Sequence, residues 1–183
     1  TETIINQVEV LREMVNAFGK FAEQPELKAE RINMPKVIDE AIGLYSKDHK
    51  TIKFSSKYTD KYFIYGDEKK LRQILNNLLK NSIDALSDIK NPRIVVALSN
   101  IQISNKTFLE LSIEDNGIGF SEETVTNPFE PYVSTKPKGK GLGLAIVKNI
   151  VDEHQGHIAI KNNTKGASVI ITIPVNQPSN IKL

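Results

Sequence analysis

No cysteine occurs among the 183 residues. That excludes a disulfide framework and a thiolate-held metal, and it fits a reducing compartment. No apolar run approaches the roughly 20 residues of a membrane span, and no stretch has the order of a secretory signal. If a longer parent protein is membrane-anchored, the anchor is expected elsewhere. An excess of one charge is missing as well: 24 Lys and Arg face 22 Asp and Glu, a formal net charge of +2. With its lysines spread along the chain, so small an excess leaves no electrostatic footprint for nucleic acid. Internal repeats and low-complexity segments are absent too. The length suffices for one domain with a real core plus an appendage.

What is present is a series of periodic segments. Ile4, Val8, Leu11, Val15, Phe18 and Ala22 recur at alternating spacings of four and three, an a/d seam over residues 1–24 that Pro25 ends. Such a seam suits a helix of a bundle, or a helix packed on its own domain. Residues 25–34 read as a connector. Pro35 fits a first helical turn, and Val37, Ile38, Ala41, Ile42 and Tyr45 mark one face of the helix that follows. Ile52, Phe54 and Ser56 alternate with polar residues as in an edge strand. Tyr62–Tyr65 is a second short strand, closed by Gly66 and Asp67, with Asp67 suited to cap a helix over 68–88. Strands are expected at 93–103 and 107–114, joined at Asn105 and Lys106. A helix is expected over 142–154 with Gly156 as its C-cap, then a hairpin of 157–160 with 167–173, and a loose tail from 176 or 177.

Two features carry chemistry. The first is the pair Asn77 and Asn81 within the leucine-rich helix 68–88. Four residues apart, they share a face, and asparagine is a mediocre helix former. They are either surface amides or groups with a task, such as offering an oxygen to Mg²⁺. The second is the stretch 115–143, which begins Asp115-Asn116-Gly117-Ile118-Gly119-Phe120 at a strand end and closes Gly139-Lys140-Gly141-Leu142-Gly143-Leu144 at a helix start. A loop rich in Pro, Ser, Thr and Lys lies between. Glycines let a backbone approach a ligand, and a helix N-terminus offers N–H groups to phosphate. Taken singly, either cluster is equally a turn or a loop-to-helix joint.

Taken together and in this order, these motifs resemble the nucleotide-binding fold shared by sensor histidine kinases, type II topoisomerases, the ninety-kilodalton heat-shock chaperones and mismatch-repair ATPases. The resemblance covers about residues 33–175. It implies a two-layer α/β sandwich of the Bergerat type, with a mixed sheet, helices on one face and the nucleotide between helices and a lid. The segment Asn77-Leu78-Leu79-Lys80-Asn81-Ser82-Ile83-Asp84-Ala85 is similar to the N box of histidine kinases. The resemblance makes Asn81 the Mg²⁺ ligand and adds Asp84 to the ATP-binding set. Asn77 stands where hydrolysing members carry a glutamate, which argues against water activation, since an amide is no base at neutral pH. The resemblance makes Asp115 the acceptor for the adenine amine, with Gly117 and Gly119 passing close to the base. Phe129-Glu130-Pro131-Tyr132 resembles the box that anchors the lid, giving roles to Phe129 and Tyr132. Gly139, Gly141, Leu142, Gly143 and Leu144 resemble the second glycine box, whose N–H groups hold phosphates, with Lys136 and Lys140 adding positive charge. Lys140 departs from the usual Thr or Ser, and Gly166-Ala167-Ser168 from the usual Gly-Gly-Thr.

Phe18-x-x-Phe21-Ala22-x-x-Pro25 resembles the end of the second dimerisation helix in nitrogen sensors of the NtrY and NtrB type. The implied organisation is a dimerisation helix and linker over 1–32, a catalytic domain over 33–176 and a tail over 177–183. None of the three histidines, His49, His154 and His157, is followed by the acidic residue typical of an acceptor histidine. The expected acceptor thus lies on an upstream helix outside this chain. The implied activity is transfer of the ATP γ-phosphoryl group to that histidine and then to a response-regulator receiver domain, within a homodimeric parent anchored at the inner membrane. A serine kinase of the anti-sigma type and a nucleotide-binding module without transfer are the alternatives.

Overall fold

The structure is a computed structural model that describes residues 28–59, 61–131 and 141–176. The helix expected over 1–24 and the tail over 177–183 lie outside these residues. Among the described residues the elements run β1 (Glu30–Asn33), α1 (Met34–Asp48), β2 (Lys53–Lys57), β3 (Phe63–Gly66), α2 (Glu68–Ala85), β4 (Arg93–Ile103), β5 (Lys106–Asp115), α3 (Glu122–Thr126), α4 (Gly143–Glu153), β6 (His157–Asn162) and β7 (Ala167–Pro174).

Local chemistry sets the helix starts. Asn33 accepts from the Lys36 N–H at 3.3 Å and Pro35 sits in the first turn of α1, where its missing N–H costs nothing. Asp67 caps α2, its Oδ1 accepting from the N–H groups of Lys69 and Lys70 at 3.0 and 3.2 Å. The apolar stripe of α2 buries Leu71, Ile74, Leu75, Leu78 and Leu79. Each such side chain contributes about 1.5–3 kcal/mol relative to exposure.

Five strands form one mixed sheet in the order β2-β4-β5-β7-β6, with β2 parallel to β4 and the other pairs antiparallel. The register aligns the apolar residues in rows. Leu98, Leu111, Ile171 and Ile158 are neighbours across four strands, and so are Val96, Ile113, Val169 and Ile160. Most members of these rows are buried while the intervening residues are more open, as expected where helices cover one face. Because side chains alternate, Asp115 falls on the same face as Ile113 and Leu111. The parity of β5 therefore sends this carboxylate into the core layer.

Several expectations are corrected. The connector expected at 25–34 contains β1, which pairs antiparallel with β3, Ile32 opposite Ile64. The loop after Phe120 contains α3, started by Ser121, whose hydroxyl accepts from the Thr124 N–H at 3.2 Å. Gly156 is not the left-handed residue after α4; Gln155 is, with φ 55°. Glycine at 156 answers instead to packing, because a Cβ there would lie 2.4 Å from the Thr172 carbonyl oxygen. His154, at the end of α4, is 2% exposed, and burial pushes its imidazole below the ordinary histidine range.

Candidate functional site

The site grows from the end of β5. Asp115 is 7% exposed, and its Oδ1 accepts from the Gly117 N–H at 2.9 Å. The Ser82 hydroxyl of α2 and the Ala167 N–H of β7 also favour the charged form of this carboxylate. Burial pushes its carboxyl above the ordinary carboxylate range, and these polar groups pull down without cancelling that effect. A carboxylate held this way is poised to accept from a polar group that enters the layer between α2 and the sheet.

The loop after Asp115 is fastened on both sides. Asn116 Oδ1 accepts from the Arg93 N–H at 2.8 Å, and its Nδ2 donates to the Asn91 carbonyl at 3.1 Å. The Ile118 N–H donates to the Ala85 carbonyl at 3.2 Å. Asn162 of β6 clasps Phe120, accepting from its N–H at 2.8 Å and donating to its carbonyl at 2.9 Å. The glycines serve this fastening. A Cβ on Gly117 would sit 2.5 Å from the Ala85 carbonyl oxygen, and one on Gly119, at φ +75°, would sit 2.9 Å from Asn162 Oδ1. The space made by the missing side chains is filled by neighbouring protein atoms. On its outer side the loop borders an open cavity of about 500 Å³ shared with Lys90 and the turn 162–166.

Asn77 and Asn81 are half-buried on α2 and face the start of α4. A Cβ on Gly143 would lie 3.4 Å from both Asn77 Oδ1 and Asn81 Nδ2. Asn77 also donates from Nδ2 to the Gln73 carbonyl at 2.8 Å. Leu142 precedes α4 without any side-chain cap, so the first N–H groups of that helix have no side-chain acceptor at that position. Gly141 has φ +63°. Leu144 and Phe129 are half-buried against the core. Asp84 lies one turn beyond Asn81 and is exposed.

The structure thus sets Asn77 and Asn81 of α2 opposite Gly143, with Asp115 beside Ser82 of the same helix. Tyr132, Lys136, Gly139 and Lys140 lie outside the described residues. The sequence did not single out Ser82, Asn162 or Asn116. Ser82 sits next to Asn81 in a helix whose stripe is otherwise apolar, and that buried hydroxyl position was the available signal. Asn162 reads as a hairpin residue because its partner, Phe120, is 42 residues away. As for metal, no group of three or more His, Cys, Asp or Glu side chains among the described residues could hold an ion. One amide oxygen, from Asn81, completed by waters and nucleotide phosphates, fits the ordinary shell of magnesium.

Residues 66–177 match the family model described as histidine kinase-, DNA gyrase B- and HSP90-like ATPase. The chain belongs to this family. Nitrogen regulation protein NtrY of Azorhizobium caulinodans is 33% identical over an alignment of 183 positions that covers 97% of this chain and 24% of that protein. Sporulation kinase B of Bacillus subtilis is 28% identical over 178 residues, 96% of this chain and 40% of that one. The chain therefore spans well under half the length of these two relatives. The catalytic domain of histidine kinase ThkA superposes with a TM-score of 0.72 at 27% identity, covering 81% of this chain and 96% of that chain. The resemblance to histidine kinases and to NtrY is thereby borne out, and the fold is that of a histidine kinase catalytic domain.

Proposed function

We propose that this chain is the ATP-binding catalytic part of a two-component sensor kinase. It transfers the γ-phosphoryl group to a histidine outside residues 33–176, and the parent passes it to an aspartate of a response regulator. The observation that carries this reading is the buried Asp115 carboxylate, set beside α2, with Asn77 and Asn81 facing the start of α4. Asp115 accepts from the exocyclic amine of adenine; guanine presents a carbonyl there, so the same carboxylate repels it. The uncapped start of α4, with Gly141, Leu142, Gly143 and Leu144, supplies N–H groups to the phosphates. Asn81 holds Mg²⁺, which when bound neutralises charge that develops between the β- and γ-phosphates.

Asn77 gives the site its direction. Its amide has no proton affinity for activating water at neutral pH, so hydrolysis lacks a base at this position and positioning does the catalysis. In this reading residues 1–32 belong to the second part of a dimerisation hairpin and its linker, in a homodimeric, membrane-anchored parent. Histidine kinase ThkA has been seen in complex with response regulator protein TrrA, which supports a receiver domain as the partner here. Calorimetric titration with ATP and with GTP, each with Mg²⁺, tests the reading: ATP binds and GTP does not. Equal affinity for the two nucleotides contradicts the role given to Asp115.

A further inference from the structure

The site spans two helices, and the far ends of those helices are tied together. At one end Asn77 and Asn81 of α2 face Gly143 of α4. At the other, His154 after the last turn of α4 meets Asp67 at the cap of α2. The Asp67 N–H donates to His154 Nε2 at 3.1 Å. The opposite ring nitrogen, Nδ1, lies 2.7 Å from the Ile150 carbonyl of its own helix. An acceptor at Nε2 puts the ring proton on Nδ1, so one neutral imidazole joins two backbone groups of different elements. Lys70 of α2 and Glu153 of α4 add an ion pair at 2.7 Å, their side chains only 18% and 14% exposed. Gly66 closes the pocket, since a Cβ there would lie 2.8 Å from His154 Cδ2.

We propose that His154 is a positioning residue for nucleotide binding: its imidazole pins the end of α4 to the start of α2 and so holds the glycine-led start of α4 opposite Asn77 and Asn81. The inference rests on the nucleotide reading given above. A side chain without an acceptor leaves the part-buried Asp67 N–H without its partner. The molecule escapes that penalty by letting the two helix ends part, which turns the start of α4 away from the asparagines. Nucleotide then binds only the aligned fraction of molecules, and the apparent affinity falls by that fraction. Protonation breaks the same link, because Nε2 becomes a donor facing a donor. The charged groups that face the ring are Asp67 and Lys70 from α2 and Glu153 from α4, and Gly66 of β3 contributes none.

The test uses the whole chain with Mg²⁺-ATP titrations and thermal melts of H154Q, H154N and H154L. A glutamine amide reaches about as far as Nε2 and keeps an acceptor for the Asp67 N–H; an asparagine amide reaches only as far as Nδ1. Above neutral pH, H154Q is expected to bind within about twofold of the native chain, and H154N and H154L about tenfold more weakly while folded. The advantage of the native chain over H154Q is expected to shrink as pH falls below the ordinary histidine range, a trend in which the titration of ATP cancels. Folded H154N or H154L binding as tightly as the native chain overturns the proposal, and so does H154N equal to H154Q. If H154L does not fold, the Asn–Gln comparison decides. A native chain that fails to bind ATP refutes the underlying nucleotide reading, which the variants then cannot mimic.

Discussion

Asp115 is where function and stability oppose each other. Its carboxyl titrates above its unfolded value of 3.8 because burial outweighs its hydrogen bonds. A group whose pKa is raised on folding contributes stability at low pH that is lost as pH rises through the folded value. At neutral pH ionisation of this carboxyl is thus a cost in stability, which the proposed contact with adenine would explain. Asp115→Asn retains an oxygen for the Gly117 N–H and removes the charge. It is expected to raise the melting temperature of the unliganded protein near neutral pH. The same change is expected to weaken ATP binding by about 1.5–3 kcal/mol, one charge-assisted hydrogen bond. Melting curves and calorimetry on the one variant check both signs. Asn81→Ala is expected to abolish Mg²⁺-dependent ATP binding with α2 intact, since alanine is the better helix former; circular dichroism and a titration with and without Mg²⁺ check it.

At the scale of elements, the join between α2 and the Asp115 loop leaves no room for a side chain. Gly117→Ala would put a methyl group 2.5 Å from the Ala85 carbonyl oxygen, against backbone that has no rotamer to yield. A loss of about 1–3 kcal/mol is expected in denaturant unfolding. His154 gives the α2–α4 pair a pH dependence of opposite sign to that of Asp115. Its folded pKa is pushed below 6.5, so the unfolded chain takes up protons first. Stability is present above that value and is lost as pH falls toward the folded pKa. Unfolding midpoints of the native chain are expected to drop on that acid side, and those of H154Q to lack this component.

The elements also show what was legible in sequence. The β4–β5 hairpin, the capped α2 with its two asparagines and the hairpin of β6 with β7 all follow from period, caps and turns, because their signals lie within the segment. The strand β1 was missed because four residues, Glu30–Asn33, show no alternation of their own and form a strand by pairing with β3 some thirty residues on. The five residues of α3 are too few for a periodic stripe. The link made by His154 is not legible in sequence because its partner Asp67 is 87 residues away. Of the site, the positions were legible and the surroundings were not. Asp115 stood out at a strand end, but its burial depends on the parity of β5 against β4 and β7.

For the whole molecule, the account turns on where the phosphoryl group goes. The three histidines of the chain are poorly placed to receive it. Both ring nitrogens of His154 are engaged and the ring is buried. His157 starts β6, five residues or roughly 16 Å of strand from Asn162 at the Asp115 end of the sheet. His49 caps α1 and stacks on Tyr45 with ring centroids 6.5 Å apart, and Lys50 follows it. In-line transfer needs a nucleophile about 3–3.5 Å from phosphorus. The most direct measurement is incubation with γ-labelled ATP and Mg²⁺, alone and with a separately made helical hairpin that carries an acceptor histidine followed by an acidic residue. The account predicts acid-labile label on the hairpin and none on the chain. Stoichiometric label on the chain alone, or ATP consumed at the same rate without any acceptor, would contradict it.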